Sequence, residues 1–138
     1  MQSTTRRILG LLAASALALT AVAAEMTDEP LSKIKQEVDG GTAVIVDVRE
    51  ADEWAELHVD GAILLPSSTL EDGVSEAELE LLPKDKTLYL HCVVGKRAMK
   101  AATLLEKGGY QVRAMSVGPD EMIAAGFPAA KGKRPSAR

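Results

Sequence analysis

The only cysteine of the 138-residue chain, Cys92, lies in the segment HCVVGKRAM, residues 91–99. The apolar run TLYLH at residues 87–91 precedes it and predicts a buried strand. Apolar residues at helical spacing follow it and predict a helix. The backbone N–H groups at a helix start have no partners within the helix, and they and the helix dipole favour a thiolate over a thiol. The position of Cys92 therefore predicts a nucleophile.

The residues after Cys92 predict an anion-binding cradle around its sulfur. If the loop curls, the backbone amides can point inward, and Gly95 allows a backbone shape that other residues resist. Two cations add positive charge. The predicted site consists of Cys92 as the catalytic residue and the substrate-binding residues Val93, Val94, Gly95, Lys96, Arg97 and Ala98. This interpretation requires that the amides converge on the sulfur and that bulk solvent can reach it.

The alternative for Cys92 is a small buried hydrophobe, since that is a common environment for free cysteine, but its neighbours favour the nucleophile. For the other residues near this segment we favour structural interpretations. His91 either orients the loop or is a structural residue at a strand end, and we favour the structural role. Asp47 is interpreted as a hydrogen-bonded support for neighbouring loops, and Trp54 as a core residue. Arg49 is predicted to pair with Glu53, four residues later.

Strands and helices alternate along the chain. Strands are predicted at residues 43–46, 62–65, 87–91 and 112–117. The first two helices are predicted from Pro30 to Gly40 and over 51–57. The third begins with a capping box at Ser75 and Glu78 and stops at Pro83. The last two run from the cysteine loop to Gly108 and over 119–125. This order predicts an α/β domain with a parallel sheet and helices on both faces. Sites in such sheets form at the carboxyl ends of strands, where Cys92 is predicted to lie.

The two ends of the chain have different compositions from the centre. Residues 1–24 combine Arg6 and Arg7, an uncharged apolar run and a small-residue end, which is typical of a signal peptide cleaved after Ala23 or Ala24. An uncleaved membrane anchor is the less favoured alternative. We therefore expect a periplasmic protein without stable membrane association after cleavage. Residues 129–138 are basic and predict a disordered tail.

Charge and composition narrow the possible partners. From residue 25 onward the formal net charge is −6, which argues against nucleic acid as a partner. Two histidines and one cysteine do not form a familiar zinc site, so neither a metal nor an organic cofactor is expected. No long apolar surface stripe is evident in the sequence, which favours a monomer.

Three segments together resemble the rhodanese-like domain family. The first is the loop Cys-Val-Val-Gly-Lys-Arg-Ala, which matches the family pattern C-x-x-G-x-R-S/A. The second, at residues 44–66, is VIVDVREADEWAELHVDGAILLP, which resembles the Asp-Val-Arg segment of the family. The third, at residues 108–118, is GGYQVRAMSVG, which resembles the last core strand of the family. The resemblance covers nearly all of residues 30–128 and is strongest to small periplasmic members of the phage-shock type. It implies one rhodanese-like domain at 25–128, and it places Arg49 near the site, where it could attract anions.

The resemblance also implies a reaction. Members transfer sulfane sulfur from thiosulfate or a similar anionic donor to cyanide or a thiol through a cysteine persulfide, so we expect an enzyme, a thiosulfate sulfurtransferase acting through Cys92. A persulfide carrier for a partner protein is an alternative. A phosphatase or arsenate reductase is less favoured, because tyrosine-phosphatase loops place five residues between Cys and Arg whereas this loop has four.

Overall fold

Helices and strands alternate along the part of the chain that the computed structural model describes, residues 23–134. The helices are α1 (Leu31–Asp39), α2 (Ala51–Glu56), α3 (Ser67–Asp72), α4 (Glu76–Glu80), α5 (Lys96–Lys107) and α6 (Pro119–Ala124). The strands are β1 (Ala43–Asp47), β2 (His58–Val59), β3 (Ile63–Leu64), β4 (Thr87–His91), β5 (Gln111–Ala114) and β6 (Ala129–Ala130). The predicted signal peptide lies outside the described residues except for Ala23 and Ala24.

The central sheet is parallel, as the order of elements predicts. Its four strands lie in the order β3-β1-β4-β5, and every neighbouring pair is parallel. β1 and β4 pair along their whole length, from Ala43 opposite Thr87 to Asp47 opposite His91. Because the strands are parallel, the ends of β1 and β4 meet at one edge of the sheet, and Cys92 follows directly from that edge.

The sheet is covered on both faces, which confirms the predicted α/β architecture. Successive residues of a strand point to opposite faces. In β4, Leu88 and Leu90 belong to the core cluster that includes the buried face of α5. Tyr89 belongs to the opposite cluster with Ile34 of α1 and Met122 of α6. Each fully buried leucine or isoleucine contributes roughly 1.5–3 kcal/mol to folding, so both faces stabilise the strand that carries the cysteine.

The strongest local signals in the sequence are confirmed. The capping box at the start of α4 forms, with Ser75 and Glu78 each accepting a hydrogen bond from the other's backbone N–H, at 3.3 and 3.1 Å. The helix ends at Glu80, and Leu82 is buried just beyond it. α5 buries the predicted face and ends at Gly108.

Several short elements differ from the prediction. The sequence did not predict α3, because Leu70 is its only buried residue and a six-residue helix shows little periodicity. The two-stranded antiparallel sheet of β2 and β6 was also missed, since each strand has two residues. The strand predicted over 112–117 is Gln111–Ala114, and residues 115–118, which include a bend at Ser116, connect it to α6.

The start of the predicted disordered tail is part of the fold, so that prediction is wrong for residues 129–134. β6 pairs with β2, and the Gly132 N–H donates to the Ala55 carbonyl at 2.8 Å. Arg134 donates from Nη1 to the Leu64 carbonyl at 3.1 Å. Residues 135–138 lie outside the described part. No helix within residues 23–134 is long and apolar enough to cross a membrane.

Candidate active site

The cysteine loop connects the end of β4 to the start of α5. Cys92 follows His91, the last residue of β4, and α5 begins at Lys96 with Gly95 as its N-cap. Cys92 and Gly95 are buried, whereas the side chains of Val93 and Val94 are exposed to solvent. The loop therefore turns its valine side chains outward and encloses the sulfur.

Gly95 has the conformation and the surroundings that only glycine tolerates. Its φ is +99°, in the left-handed region that side chains disfavour. A Cβ at this position would lie 2.9 Å from Met26 Cε, 3.0 Å from Ser116 Cα and 3.1 Å from the Met115 carbonyl oxygen. The glycine in the motif is thus needed both for the turn and for close packing behind it.

Backbone amides converge on the Cys92 sulfur. The Gly95 N–H donates to Cys92 Sγ at 3.2 Å. Burial raises the pKa of the Cys92 thiol, but hydrogen bonds from the amides of Ala98, Gly95, Val93 and Arg97 oppose it and outweigh it. The pKa of Cys92 therefore lies below its ordinary value, as expected for a cysteine at a helix start.

The sulfur lies at the floor of the loop rather than at an open tip. Cys92 is 1% exposed, while Val93 and Val94 are 50% and 72% exposed. The first requirement of the sequence interpretation, convergent amides, is met. The second, open access from bulk water, is not met in this conformation. A donor reaches the sulfur only when the surrounding side chains move.

The two cations of the loop occupy different environments. Lys96 is exposed at the first position of α5. Arg97 is half-buried and forms a two-pronged ion pair with Glu53 of α2, with Nη1–Oε2 and Nη2–Oε1 distances of 2.7 and 2.9 Å. This pairing, more than any other contact, lowers the pKa of Glu53 to about 2, and with the nearby Cys92 thiolate it raises the pKa of Arg97. Arg97 ties the loop to α2 and is not a free cation.

Arg49 does not pair with the carboxylate of Glu53, so that prediction is wrong. Its guanidinium is 6% exposed and binds the fully buried carboxylate of Asp47, with an Nη2–Oδ2 distance of 2.7 Å. It also donates to the backbone carbonyls of Leu57 and Glu53, at 2.7 and 3.3 Å. Buried and paired in this way, Arg49 supports the end of α2 and cannot attract anions from solvent.

His91 connects the Asp47–Arg49 pair to the cysteine loop. His91 Nδ1 lies 3.1 Å from the Cys92 carbonyl oxygen, and Nε2 lies 3.5 Å from Asp47 Oδ2 and has no hydrogen-bond partner among residues 23–134. Burial lowers the pKa of His91 despite the nearby Asp47 carboxylate. Because a carbonyl oxygen can only accept, the contact of Nδ1 with it places a proton on Nδ1. The residue is fully buried, and its contact with the loop is made to the backbone of Cys92.

Sequence reasoning missed three residues that contact the loop. The sequence analysis paired Glu53 with Arg49 instead of Arg97. The position of Glu53 in α2, which follows β1 at the edge of the sheet where Cys92 lies, was a signal that it could contact the loop. Met26 and Ser116 pack behind Gly95. Met26 lies outside every predicted helix and strand, and the strand predicted over 112–117 did not indicate that Ser116 would contact the loop. Within residues 23–134, no group of three or more His, Cys, Asp and Glu side chains could hold a metal ion.

The chain belongs to the rhodanese-like domain family, since the family profile described as Rhodanese-like domain matches residues 31–125. It is similar to thiosulfate sulfurtransferase GlpE of Ectopseudomonas mendocina, with 30% identity over 67% of this chain and 81% of the relative. It is 37% identical to the probable adenylyltransferase/sulfurtransferase MoeZ of Mycobacterium tuberculosis over 71 residues, which are 51% of this chain and 17% of that protein.

The structural comparison agrees with the sequence comparison. Human single-domain sulfurtransferase TSTD1 superposes with a TM-score of 0.58 and 28% identity, over 68% of this chain and 92% of that one. The family and these relatives support sulfur transfer as the general activity.

The lowered pKa of Cys92 predicts a distinctive pH profile. The thiolate is the reactive form and is present above the thiol pKa, so alkylation should be half-maximal at a pH below that of an ordinary cysteine. Because the chain has one cysteine, the rate of iodoacetamide alkylation measured against pH reports on Cys92 alone. Urea-unfolded protein provides the reference midpoint. A folded-state midpoint at or above that reference would contradict the amide arrangement.

The ion pair between Glu53 and Arg97 predicts a loss of activity when the carboxylate is removed. Glu53→Gln leaves one charge-assisted hydrogen bond at most, and such bonds contribute about 1.5–3 kcal/mol. We expect the second-order rate constant for sulfur loading of Cys92 to fall by on the order of tenfold. Glu56→Gln, an exposed residue of the same helix, is the matched control. Equal rates for the two variants would show that the pair does not organise the loop.

Proposed function

We propose that the protein is a thiosulfate sulfurtransferase that carries sulfane sulfur as a persulfide on Cys92. The observation that carries this proposal is the set of backbone amides directed at one buried sulfur, with Gly95 N–H at 3.2 Å. Amide donors stabilise a negative charge on either sulfur of a persulfide without a metal or an organic cofactor. Similarity to thiosulfate sulfurtransferase GlpE supports the choice of donor.

The reaction proceeds in two displacement steps. The Cys92 thiolate attacks the outer sulfur of thiosulfate, a new S–S bond forms, and sulfite leaves with the electron pair of the broken S–S bond. A nucleophilic acceptor, cyanide or a thiolate, then attacks the outer sulfur of the persulfide. Its bond to that sulfur forms, the persulfide bond breaks, and the Cys92 thiolate returns. This is covalent catalysis with ping-pong kinetics.

The charges around the loop suit an anionic donor. Lys96 is exposed at the first position of α5, four residues after Cys92, and we assign it to attraction of the donor anion. Arg97 is held by Glu53, and we assign it to loop support and to neutralising charge close to the sulfur. The amides of Val93, Gly95 and Ala98 bind the sulfur itself.

The size of the loop disfavours phosphoryl transfer. Four residues separate Cys92 from Arg97, one fewer than in tyrosine-phosphatase loops. A phosphoryl group presents three equatorial oxygens and needs a wider ring of donors than one sulfur atom. In this structure the Gly95 N–H is directed at Sγ itself, at 3.2 Å.

A persulfide carrier is the second candidate function, and one observation favours it. Val93 and Val94 present exposed apolar side chains on the loop itself, at 50% and 72% exposure. Exposed apolar residues beside a reactive group are typical of protein contact sites. A carrier would load sulfur from a donor but deliver it efficiently only to a partner protein with a matching surface.

Steady-state and mass-spectrometric experiments with Cys92→Ser test the proposed function. The wild-type protein should gain one sulfur atom on Cys92 after exposure to thiosulfate and should turn over repeatedly with cyanide, with parallel double-reciprocal plots. Cys92→Ser should show neither reaction while keeping the far-UV circular dichroism of the wild type. A phosphatase substrate is assayed alongside.

The outcomes separate the candidates. Loading without multiple turnover would favour the carrier. Hydrolysis of the phosphatase substrate without loading would reject sulfur transfer. Activity retained in Cys92→Ser would reject the persulfide mechanism.

We also propose that the protein is exported to the periplasm as a monomer. The composition of residues 1–24 supports export, and the lack of a long apolar surface stripe in the sequence supports a monomer. The mass of protein recovered from a periplasmic extract should correspond to a chain that begins at Ala24 or Glu25. Recovery of full-length protein in the membrane fraction would contradict cleavage.

A further inference from the structure

The segment from Ala24 to Glu29 lies beside the cysteine loop, although it precedes the region matched by the family profile. The Ala114 N–H at the end of β5 donates to the Glu25 carbonyl at 3.1 Å, and the Thr27 N–H donates to the Ala114 carbonyl at 2.8 Å. Met26 therefore forms a parallel bridge with Ala114. The segment thus lies beside β5, the outer strand of the sheet, next to the end of that strand where the site lies.

Contacts at both ends fix the position of this segment. At one end, the Ala24 N–H donates to Glu106 Oε2 of α5 at 3.2 Å. At the other end, Glu29 accepts a hydrogen bond from the buried Tyr89 of β4 and contacts Lys33 of α1. Because three core elements hold the segment, Met26 between these ends has a defined place.

The Met26 side chain packs directly against Gly95. Met26 Cε and Ser116 Cα occupy the space that a side chain at Gly95 would need, at 2.9 and 3.0 Å from the ideal Cβ position. Gly95 is also the residue whose N–H donates to Cys92 Sγ. Glycine adopts many backbone conformations without strain, so the contacts on the back of Gly95 help to select the one with φ of +99°, which directs its N–H at the sulfur.

We propose that Met26 is a positioning residue for Cys92, which holds Gly95 in the conformation that directs its N–H at the sulfur. The segment Ala24–Glu29 is then a part of the active site that the loop motif does not contain. Met26 is 40% exposed, so its contribution to the apolar core is small compared with its contact to the loop. Loss of this contact weakens an amide hydrogen bond to the thiolate and shifts the thiol toward its protonated form.

Alkylation of Cys92 against pH tests this role. In Met26→Ala, the midpoint should move upward by about half a pH unit, which corresponds to roughly threefold slower alkylation below the midpoint. Met26→Leu, which keeps a large apolar side chain over Gly95 but has no atom at the Cε position, should shift the midpoint upward by less than Met26→Ala does. Leu104→Ala is the matched control, because Leu104 is 42% exposed on α5 and away from Gly95.

A midpoint that stays unchanged in Met26→Ala, whatever happens to its melting temperature, would overturn the proposal. If Met26→Ala does not fold, Met26→Val, which lacks an atom at the Cε position, takes its place with the same expected direction. The inference deepens the proposed function, but alkylation does not depend on sulfur transfer. A shifted midpoint in a protein that fails to load sulfur would reject the proposed function and leave the role of Met26 intact.

Discussion

Convergence of backbone amides on one buried sulfur is the constraint on which the rest of the structure depends. Burial alone would raise the pKa of Cys92, and hydrogen bonds from the amides of the loop and of the first turn of α5 reverse that effect. Amides can converge only if the chain turns tightly between β4 and α5, which requires the left-handed conformation of Gly95. This tight turn also requires that β4 and α5 on either side of it are held in place, and β4 is held by pairing with β1 and β5.

A series of polar contacts connects the Asp-Val-Arg segment to the cysteine loop. Asp47 holds Arg49, and Arg49 donates to carbonyls at the end of α2, where a cation also complements the helix dipole. The same helix presents Glu53, which holds Arg97 in the first turn of α5. Two segments that lie about 45 residues apart in the sequence thus act together, because the Asp-Val-Arg segment supports the helix that holds Arg97.

The sequence predicted the parts of the fold and site that local patterns determine. Unbroken apolar runs identified β1 and β4, helical spacing identified α5, and Gly95 marked the turn, so the place of Cys92 followed. The partner of Arg49 and the contact of Met26 with Gly95 depend on how distant segments meet, and helical spacing misassigned the first. β2 and β6 have two residues each, which is too short for a recognisable alternation of apolar and polar residues. The basic composition of residues 129–138 gave no indication that Gly132 would hydrogen-bond to Ala55.

Low exposure and a lowered pKa at the same cysteine have opposite effects on reactivity, and together they select for particular partners. The lowered pKa makes the thiolate available, whereas 1% exposure withholds it from molecules that cannot displace the surrounding side chains. Under the proposed function, the transferred sulfur is bonded to Sγ at about 2.05 Å, the length of an S–S bond. Donor and acceptor must then reach into the same loop, whose exposed side chains include Val93 and Val94.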